Sequence, residues 1–134
     1  MTVAAAGPAA LVRPAARLRG EPGLPGDKSV SHRTLLLALL AAAEARSLGA
    51  GHGLNVGATA GVAAALGADV ERTGDDPRAV DYRVASPGRD GLHEPEGILD
   101  CRNSGTTFRL AAGILAGLPL FAVLDGDASL RRRP

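Results

Sequence analysis

Three short polar stretches of the sequence combine cations with hydroxyl groups and glycines, the residue types that bind anions. The first, residues 25–33, reads Pro-Gly-Asp-Lys-Ser-Val-Ser-His-Arg, a tight turn that leads into a helix. The free N–H groups and partial positive charge at a helix N-terminus attract anions. Lys28 and Arg33 can add charge-assisted hydrogen bonds, each contributing roughly 1.5–3 kcal/mol. The stretch predicts a phosphate or carboxylate site; alternatively, Ser29 only caps the helix and both cations face solvent.

Lys28 is the only lysine among the 15 basic residues of the chain. Because every other cation is an arginine, its presence indicates that a compact ammonium is needed here instead of a planar guanidinium. Asp27 precedes it, whereas a nucleotide-binding P-loop has Gly-Lys-Ser or Gly-Lys-Thr, so hydrolysis of nucleoside triphosphates is disfavoured. His32, in the first turn of the predicted helix, is expected to be structural or exposed, without a chemical role.

A second stretch, residues 100–109, again places small polar residues before a helix, with an arginine one turn in. Gly105 would let a ligand approach the backbone closely. The same residues form a good capping sequence, so the stretch alone leaves a purely structural role open. Cys101 has no histidine partner nearby in the sequence and is expected to be a small buried side chain. The side chains expected to donate hydrogen bonds to a second anion are Asn103, Ser104, Thr106 and Thr107.

The third stretch, residues 125–134, leads from a turn into Arg131, Arg132 and Arg133. A run of like charges is usually a solvated tail. Beside two other candidate anion sites, however, at least one of these arginines is expected to reach a phosphate. The three stretches together predict a protein that binds anionic metabolites.

Helices must position these stretches, and the Leu- and Ala-rich segments of the sequence predict three of them. The first two are a buried helix over residues 31–45, with Ser29 or Ser31 as its N-cap, and a helix that Thr59 caps and that ends at a left-handed Gly67. The third covers residues 104–116.

Strands are predicted where apolar and polar residues alternate or where short apolar runs follow turns. Residues 48–57 are glycine-rich and are expected to form a loop, with a short strand near Ser47. The predicted strands are residues 17–19, a hairpin of 69–72 and 82–86 across a turn at 74–77, residues 98–100 and residues 120–124.

The start of the first helix is echoed later in the chain. Residues 31–35, Ser-His-Arg-Thr-Leu, correspond to residues 107–111, Thr-Phe-Arg-Leu-Ala, with hydroxyl, arginine and apolar residues in matching positions. This match indicates one strand, helix, strand, helix, hairpin unit followed by the start of a second copy, which is a repeated α/β layer.

Composition narrows the class of protein. A chain of 134 residues can form one compact domain or a fragment of a larger one. It is 46% hydrophobic and 22% charged with a net charge of +1, which is typical of a folded globular protein. Because the basic residues are scattered and aromatic residues are few, a nucleic-acid partner is not expected.

The single cysteine allows neither an internal disulfide nor a zinc cluster, so a reducing compartment and a cytoplasmic location are expected. Residues 1–16 do not read as a signal peptide, because two prolines interrupt them and Arg13 follows the apolar stretch. The longest apolar run, residues 35–43, is about half of what a bilayer crossing requires. No membrane partner is therefore expected.

The three stretches, taken in order, carry a family resemblance. Pro-Gly-Asp-Lys-Ser-x-Ser-His-Arg, Asn-Ser-Gly-Thr-Thr-x-Arg and Gly-Asp-Ala-Ser-Leu-x-x-Arg-Pro make residues 18–134 resemble the 5-enolpyruvylshikimate-3-phosphate synthase family. The resemblance implies an α/β fold, the inverse α/β barrel lobe built from repeated βαβαββ units, of which this chain would hold about one and a half to two. Residues 17–134 would be a partial N-terminal lobe. Residues 1–16 would be a flexible lead or part of the other lobe.

The resemblance also implies a reaction, the transfer of the enolpyruvyl group from phosphoenolpyruvate to the 5-hydroxyl of shikimate 3-phosphate with release of phosphate. This is a step of aromatic amino acid biosynthesis that needs neither a metal nor an organic cofactor. By motif position it implies that Lys28 is catalytic and contacts phosphoenolpyruvate, while Ser29 and Arg33 bind shikimate 3-phosphate. The residues it assigns to the phosphoenolpyruvate pocket are Asn103, Gly105, Thr106 and Arg133.

The chain departs from the family pattern at two places. Residues 54–59 stand where family members usually have an acidic Asp-Asp-Thr-like segment, so local packing or contacts between the lobes are expected to differ there. Arg102 replaces the usual glycine of the Gly-Asn-Ser-Gly-Thr string, and its bulk beside the pocket is expected to alter binding of phosphoenolpyruvate.

The resemblance places Pro134 about a third of the way along the family, ahead of the acid and base residues that handle the protons. A missing C-terminal segment would then be a partner, and the isolated chain is expected to bind substrate without turnover. Two other interpretations stay open: a non-catalytic truncated remnant, and the related enolpyruvyl transferase for UDP-N-acetylglucosamine, whose family has Lys-Asn where this chain has Lys28 and Ser29.

Overall fold

The computed structural model describes Pro14 and residues 16–17, 19–74 and 79–134. Its three α-helices are α1 (Lys28–Leu40), α2 (Leu54–Ala65) and α3 (Gly105–Leu115). The strands are β1 (Glu44–Gly51), β2 (Asp69–Thr73), β3 (Ala79–Ala85), β4 (Leu99–Asp100) and β5 (Leu124–Asp125), and single 3-10 turns lie at Arg89–Gly91 and Leu130–Arg132.

Two sheets organise the described strands. β1, β3 and β2 form an antiparallel sheet with β3 in the centre, whereas β4 and β5 pair in parallel. Alternate residues of β3, namely Val80, Tyr82 and Val84, are buried, so one face of the larger sheet lies against the helices and the other faces water.

The core joins the first sheet, the helices and the second sheet into one cluster. Leu35 and Leu39 of α1 are fully buried, as are Val62 of α2 and Leu99 of β4 to within 2%. Burying each such side chain contributes roughly 1.5–3 kcal/mol. This shared core holds the N-termini of all three helices in fixed relative positions.

The prediction for the first helix is wrong at both ends, because α1 begins at Lys28 and ends at Leu40 instead of covering residues 31–45. Its N-cap is Asp27, whose Oδ1 accepts a hydrogen bond from the Val30 N–H at 2.7 Å, and neither Ser29 nor Ser31 takes that position. Residues 44 and 45 instead pair with β3, since cross-strand pairing overrides the helix propensity of alanine and glutamate there.

The prediction that Thr59 caps the second helix is also wrong. α2 begins at Leu54 with Gly53 as its N-cap, and Thr59 lies inside the helix, fully buried. The expected loop over residues 48–57 is replaced by the end of β1 and the first turn of α2. Gly67 does adopt the expected left-handed conformation after the helix, with φ +108°.

The remaining elements follow the sequence more closely. α3 confirms the third helix with Ser104 as its N-cap, and β2 and β3 confirm the hairpin, whose predicted turn falls partly on residues 75–78, outside the described residues. β4 is one residue shorter than predicted, and β5 lies at Leu124–Asp125 instead of residues 120–124. Arg17 and Arg19 are not in a strand, while Leu18 and most of residues 1–16 lie outside the described part.

In the part of the chain that the structure describes, no helix is both long enough and apolar enough to cross a bilayer.

Candidate functional site

A cavity of about 1110 Å³ opens where the N-termini of the three helices converge. Lys28 is the first residue of α1, Asn55 lies in the first turn of α2, and Gly105 and Thr106 begin α3. The fourth wall is the segment that follows β5 and includes Arg133. Three sets of helix N-terminal N–H groups near one cavity create a positive potential that favours an anion.

Four cations and one carboxylate line this cavity. Asp125 pairs with Arg131, whose Nε donates to Asp125 Oδ1 at 2.9 Å and whose Nη2 donates to Oδ2. That hydrogen bond, more than any other contact, lowers the pKa of Asp125 to about 2. Arg131 is therefore already neutralised, while Arg109 donates to the Pro134 carbonyl. Lys28, Arg109 and Arg133 remain as the cations available to a bound anion.

Arg133 is held by an amide. Its Nη2 donates to Asn103 Oδ1 at 2.6 Å, and Asn103 Nδ2 donates in turn to Asp127 Oδ2 at 2.7 Å. A Cβ placed on Gly105 would lie 3.5 Å from Arg133 Nη1, which is an ordinary van der Waals distance. The fold therefore does not need glycine at position 105, so the open backbone there is free to serve a ligand.

Behind the cavity, a buried chain of hydrogen bonds ties the three helices together. His32 Nδ1 lies 2.6 Å from Thr59 Oγ1, Thr59 Oγ1 lies 2.7 Å from Thr107 Oγ1, and Thr107 Oγ1 donates to Ser104 Oγ at 2.7 Å. All four side chains are at most 3% exposed. Because buried hydroxyls need partners, this chain specifies how α1, α2 and α3 meet.

The His32 imidazole at the end of this chain is neutral. Burial, and after it the charge of Lys28, lowers its pKa below the ordinary value of 6.5. Its Nε2 has no hydrogen-bond partner among the described residues, so the tautomer with the proton on Nδ1, donating to Thr59, leaves only an acceptor unpaired. The expectation of a structural role for His32 is confirmed, and the alternative of an exposed side chain is wrong.

Two of the side chains predicted to donate hydrogen bonds to an anion point away from the cavity. Ser104 and Thr107 are buried in the hydrogen-bond chain, so their hydroxyls do not reach the cavity, contrary to the expectation for the second stretch. Cys101 is also fully buried, as predicted, and burial raises the pKa of its thiol to about 11. The thiol is therefore protonated and unreactive at neutral pH.

The structure brings five of the predicted site residues to one cavity and leaves two outside it. Ser29 and Arg33, one turn apart on α1, are exposed and do not line it. Their role in binding, like that of the other five, stays a prediction. The residues that share the cavity are Lys28, Asn103, Gly105, Thr106 and Arg133.

Sequence reasoning missed Asn55, which lines the cavity from α2, and Phe108, which lines it from α3. Asn55 belongs to the segment 54–59 that was singled out only as a departure. With the second helix expected to begin at Thr59, nothing marked Asn55 as a first-turn residue. The glycine-rich sequence that precedes Leu54 was the available indication of an earlier helix start.

Arg102 is the one non-glycine residue with positive φ in the described part of the chain, at +49°. This left-handed conformation explains physically why glycine suits the position. The Arg102 side chain lines a second, smaller cavity of about 440 Å³ and does not line the larger one. The expected crowding of the pocket by this side chain is therefore not seen, and the consequence of the substitution is backbone strain.

No group of three or more histidine, cysteine, aspartate or glutamate side chains within the described residues is arranged to hold a metal ion. The cavity is a cationic cleft at the convergence of helix N-termini in an α/β lobe, an arrangement typical of proteins with sites for anionic ligands.

Comparison with known proteins identifies the family. Residues 12–134 match the family described as EPSP synthase (3-phosphoshikimate 1-carboxyvinyltransferase), and the chain belongs to this family. The resemblance and the fold class inferred from the sequence are thereby confirmed, including an α/β architecture that fits a partial lobe of such an enzyme.

Individual relatives support this family assignment. The chain is 53% identical over 122 residues to a 3-phosphoshikimate 1-carboxyvinyltransferase of Acidiphilium cryptum, a match that covers 91% of this chain and 26% of the relative. It is 51% identical over 124 residues to the enzyme of that name from Granulibacter bethesdensis, with the same shares covered. The solved EPSP synthase from Acinetobacter baumannii superposes with a TM-score of 0.75 at 34% identity, over 86% of this chain and 25% of that one.

The chain thus spans about a quarter of the length of these relatives, less than the third that the sequence resemblance implied.

Proposed function

We propose that this chain is the part of an EPSP synthase that binds phosphoenolpyruvate in the helix-convergence cavity and shikimate 3-phosphate beside it on α1. In this proposal the complete family-length enzyme transfers the enolpyruvyl group to the 5-hydroxyl of shikimate 3-phosphate and releases phosphate. The chain alone binds both substrates but does not turn them over. A cytoplasmic location belongs to the same proposal.

The observation that carries the proposal is the cavity itself. Lys28 and Arg133 are far apart in the sequence but line one cleft, together with the start of α3. Phosphoenolpyruvate carries a carboxylate and a phosphate, so it needs at least two cationic contacts together with backbone N–H donors. A charge-assisted hydrogen bond contributes roughly 1.5–3 kcal/mol, and each cation can supply one or more.

The exposed face of α1 supports a neighbouring site for the second substrate. Ser29 and Arg33 are separated by one helical turn, so both side chains project from the same face. Lys28 precedes Ser29 directly and also lines the cavity. A phosphate held by Ser29 and Arg33 would therefore lie close to an anion held by Lys28, as the joining of two substrates requires.

The chemistry is the formation of a C–O bond between the 5-hydroxyl oxygen and carbon 2 of phosphoenolpyruvate, followed by loss of phosphate from the tetrahedral adduct. The part that this chain plays is binding, orientation and neutralisation of charge by Lys28 and Arg133. Proton transfer to and from the adduct needs acid and base groups, which the family resemblance assigns to the portion beyond this chain. This assignment is why the isolated chain is proposed to be inactive.

Two alternatives compete with this proposal. The first is an enolpyruvyl transferase that acts on UDP-N-acetylglucosamine, and the second is a non-catalytic truncated remnant. The relatives reported above are named for 3-phosphoshikimate, and Ser29 stands where the UDP-N-acetylglucosamine enzyme family has asparagine, so shikimate 3-phosphate is the preferred acceptor. A non-catalytic remnant would keep the cavity but could not be completed to an active enzyme.

Calorimetry with the 134-residue chain tests the binding part. Phosphoenolpyruvate and shikimate 3-phosphate, separately and together, should bind to the wild type, and Lys28→Met and Arg133→Ala should each weaken binding of phosphoenolpyruvate by roughly tenfold or more. Arg132→Ala is the matched control, since Arg132 is exposed and does not line the cavity. Absence of binding by the wild type, or equal losses in Arg132→Ala, would overturn the site.

Complementation tests the catalytic part. The chain is co-expressed with the portion of the Acidiphilium cryptum relative that lies beyond the matched region, and enolpyruvyl transfer is assayed with either acceptor. Turnover of shikimate 3-phosphate that is abolished by Lys28→Met supports the proposal. Turnover of UDP-N-acetylglucosamine alone favours the first alternative, and a folded complex that binds substrate without turnover favours the remnant.

A further inference from the structure

Two of the three arginines in the segment that follows β5 have opposite surroundings. Arg131 is neutralised by Asp125, whereas Arg133 donates to the neutral amide of Asn103 and makes no ion pair with the carboxylates of the described residues. The amide is itself held by Asp127. Arg133 thus keeps its full charge for a ligand while its guanidinium is held in place.

The orientation of the Asn103 amide follows from its two neighbours. An ionised carboxylate only accepts hydrogen bonds and a guanidinium only donates them. The hydrogen bond from Asn103 is the main reason that the pKa of Asp127 is lowered, so Asp127 is ionised at neutral pH. Asn103 must therefore present its NH₂ group to Asp127 and its carbonyl to Arg133, and the reverse orientation would place two donors against each other.

We propose that Asp127 is a positioning residue of the anion cavity: through the Asn103 amide, its carboxylate holds the Arg133 guanidinium in the orientation that binds phosphoenolpyruvate. The proposal rests on the proposed function and adds to it a residue that contacts neither substrate.

Asp127 is well placed for this role because two loops fix it. Its Oδ1 accepts the Leu130 N–H at 2.8 Å, and its own N–H donates to the Arg102 carbonyl at 2.9 Å. The loop also approaches the turn so closely at Gly126 that a Cβ there would lie 2.4 Å from the Arg102 oxygen. The carboxylate is therefore attached both to the turn that carries Asn103 and to the segment that carries Arg133.

A fixed guanidinium binds an anion more tightly than a mobile one, because less side-chain freedom is lost when the ligand arrives. Simple electrostatics predicts the opposite effect for Asp127, since a negative charge near an anion site repels the ligand. The two expectations differ in sign, which makes the proposal testable by removing the charge.

Asp127→Asn is the decisive variant. Its side-chain oxygen can still accept the Leu130 N–H, but its NH₂ now faces Asn103. Asn103 must then rotate its carbonyl toward residue 127 and turn its own NH₂ toward Arg133, which releases the guanidinium. We expect the affinity of the 134-residue chain for phosphoenolpyruvate, measured by calorimetry, to fall roughly tenfold, the size of one charge-assisted hydrogen bond.

Asp125→Asn is the matched comparison, because it removes a nearby carboxylate that lines the larger cavity directly and frees Arg131. Its affinity for phosphoenolpyruvate should rise. If Asp127→Asn also binds with equal or higher affinity than the wild type, Asp127 acts only as a repelling charge and the proposal is overturned.

A ligand-free measurement separates this proposal from the proposed function. The side-chain N–H signals of Arg133 in the ¹⁵N spectrum should exchange slowly with water in the wild type and rapidly in Asp127→Asn. Asp127→Ser, which keeps an acceptor for the Leu130 N–H, should give the same result. If the wild type fails to bind phosphoenolpyruvate, the proposed function fails, yet equal exchange of Arg133 in all three proteins would by itself overturn the positioning role.

Discussion

The starts of α1 and α3 are two copies of one pattern that are held in place by different means. Ser31 and Thr107 are both buried, Arg33 and Arg109 are both exposed, and each helix continues with an apolar residue facing the core. At the turn before α1 the backbones pack tightly, because a Cβ on Gly26 would lie 1.8 Å from the Gly49 carbonyl oxygen. Before α3 the backbones also meet, at Gly126 and Arg102, but exposed side-chain pairs border the cavity there.

The side-chain contacts at α3 comprise the pairs Asn103 with Arg133, Asn103 with Asp127, and Asp125 with Arg131. They are exposed and can rearrange, whereas the backbone contact at α1 has no room to adjust. The comparison teaches that the first helix start is a rigid support, while the second is the adjustable part of the cavity. Adding a side chain at the packed glycine before the first helix should therefore affect folding, whereas adding one at the open glycine that begins the second should affect binding.

The largest effect is expected from a pair of glycine variants. Gly26→Ala cannot be accommodated without separating residue 26 from β1, so we expect it to lower the free energy of unfolding by about 3 kcal/mol or more. Gly105→Ala meets only an ordinary contact and gains helix propensity, so its stability should change by less than about 1 kcal/mol. Urea denaturation followed by circular dichroism measures both.

For binding of phosphoenolpyruvate, Gly105→Ala is the glycine variant in which we expect the direct effect. Gly105→Ala should weaken binding of phosphoenolpyruvate, because a methyl group occupies the open start of α3. A Gly26→Ala protein as stable as the wild type, or a Gly105→Ala protein that unfolds more easily than Gly26→Ala, would refute the division between support and adjustable part.

The next effect concerns the buried chain that joins the two helix starts. Thr59→Val keeps the shape of the side chain but removes the hydroxyl between His32 and Thr107, so buried polar groups lose their partners. We expect a loss of about 2 kcal/mol of stability in urea denaturation. Thr34→Val is the control, because Thr34 is only half-buried and bonds to its own helix. It should cost less than about 0.5 kcal/mol.

How far the sequence predicts the fold depends on whether local or distant residues decide each element. α3 and the hairpin were predicted because Ser104 caps the helix and the strands alternate, which are local properties. β1 was predicted only as a short strand near Ser47, since its glycine- and alanine-containing sequence has little strand propensity and its full length is held by pairing with β3. α2 was misplaced because Thr59 resembles a cap but serves a tertiary contact.

The site shows the same limit. The residue types that bind anions were recognised, but the sequence could not reveal that Lys28 and Arg133 line one cavity, which depends on the packing of the whole lobe. The inward direction of Thr107 was available from periodicity, because it shares a helix face with Ala111 and Leu115. The helical period therefore predicts that Thr107 is a core residue, although its hydroxyl group suggests a hydrogen-bond donor to a ligand.

A smaller effect is expected at the turn before α3. Arg102→Gly removes the cost of a left-handed arginine, so we expect the free energy of unfolding to rise by about 1 kcal/mol. Arg132→Gly, in a 3-10 turn with ordinary φ, should give no gain. If both variants change the free energy of unfolding by the same amount, the left-handed backbone at residue 102 does not destabilise the fold.

The smallest effect is expected from the ion pair beside β5, and it appears in the pKa of one carboxyl group. Arg131 lowers the pKa of Asp125 from its ordinary 3.8 to about 2, so the folded state binds a proton less readily than the unfolded state. The stability that the pair contributes is therefore present above pH 3.8 and is lost as the pH falls through about 2. Arg131→Gln should return the pKa of Asp125 toward 3.8 in a carboxyl ¹³C titration, with little change in stability at neutral pH, because Arg131 is 65% exposed. A pKa that stays near 2 in this variant would mean that the Gly126 N–H, not the guanidinium, controls the carboxylate, and the contacts around α3 would then depend on backbone as those around α1 do.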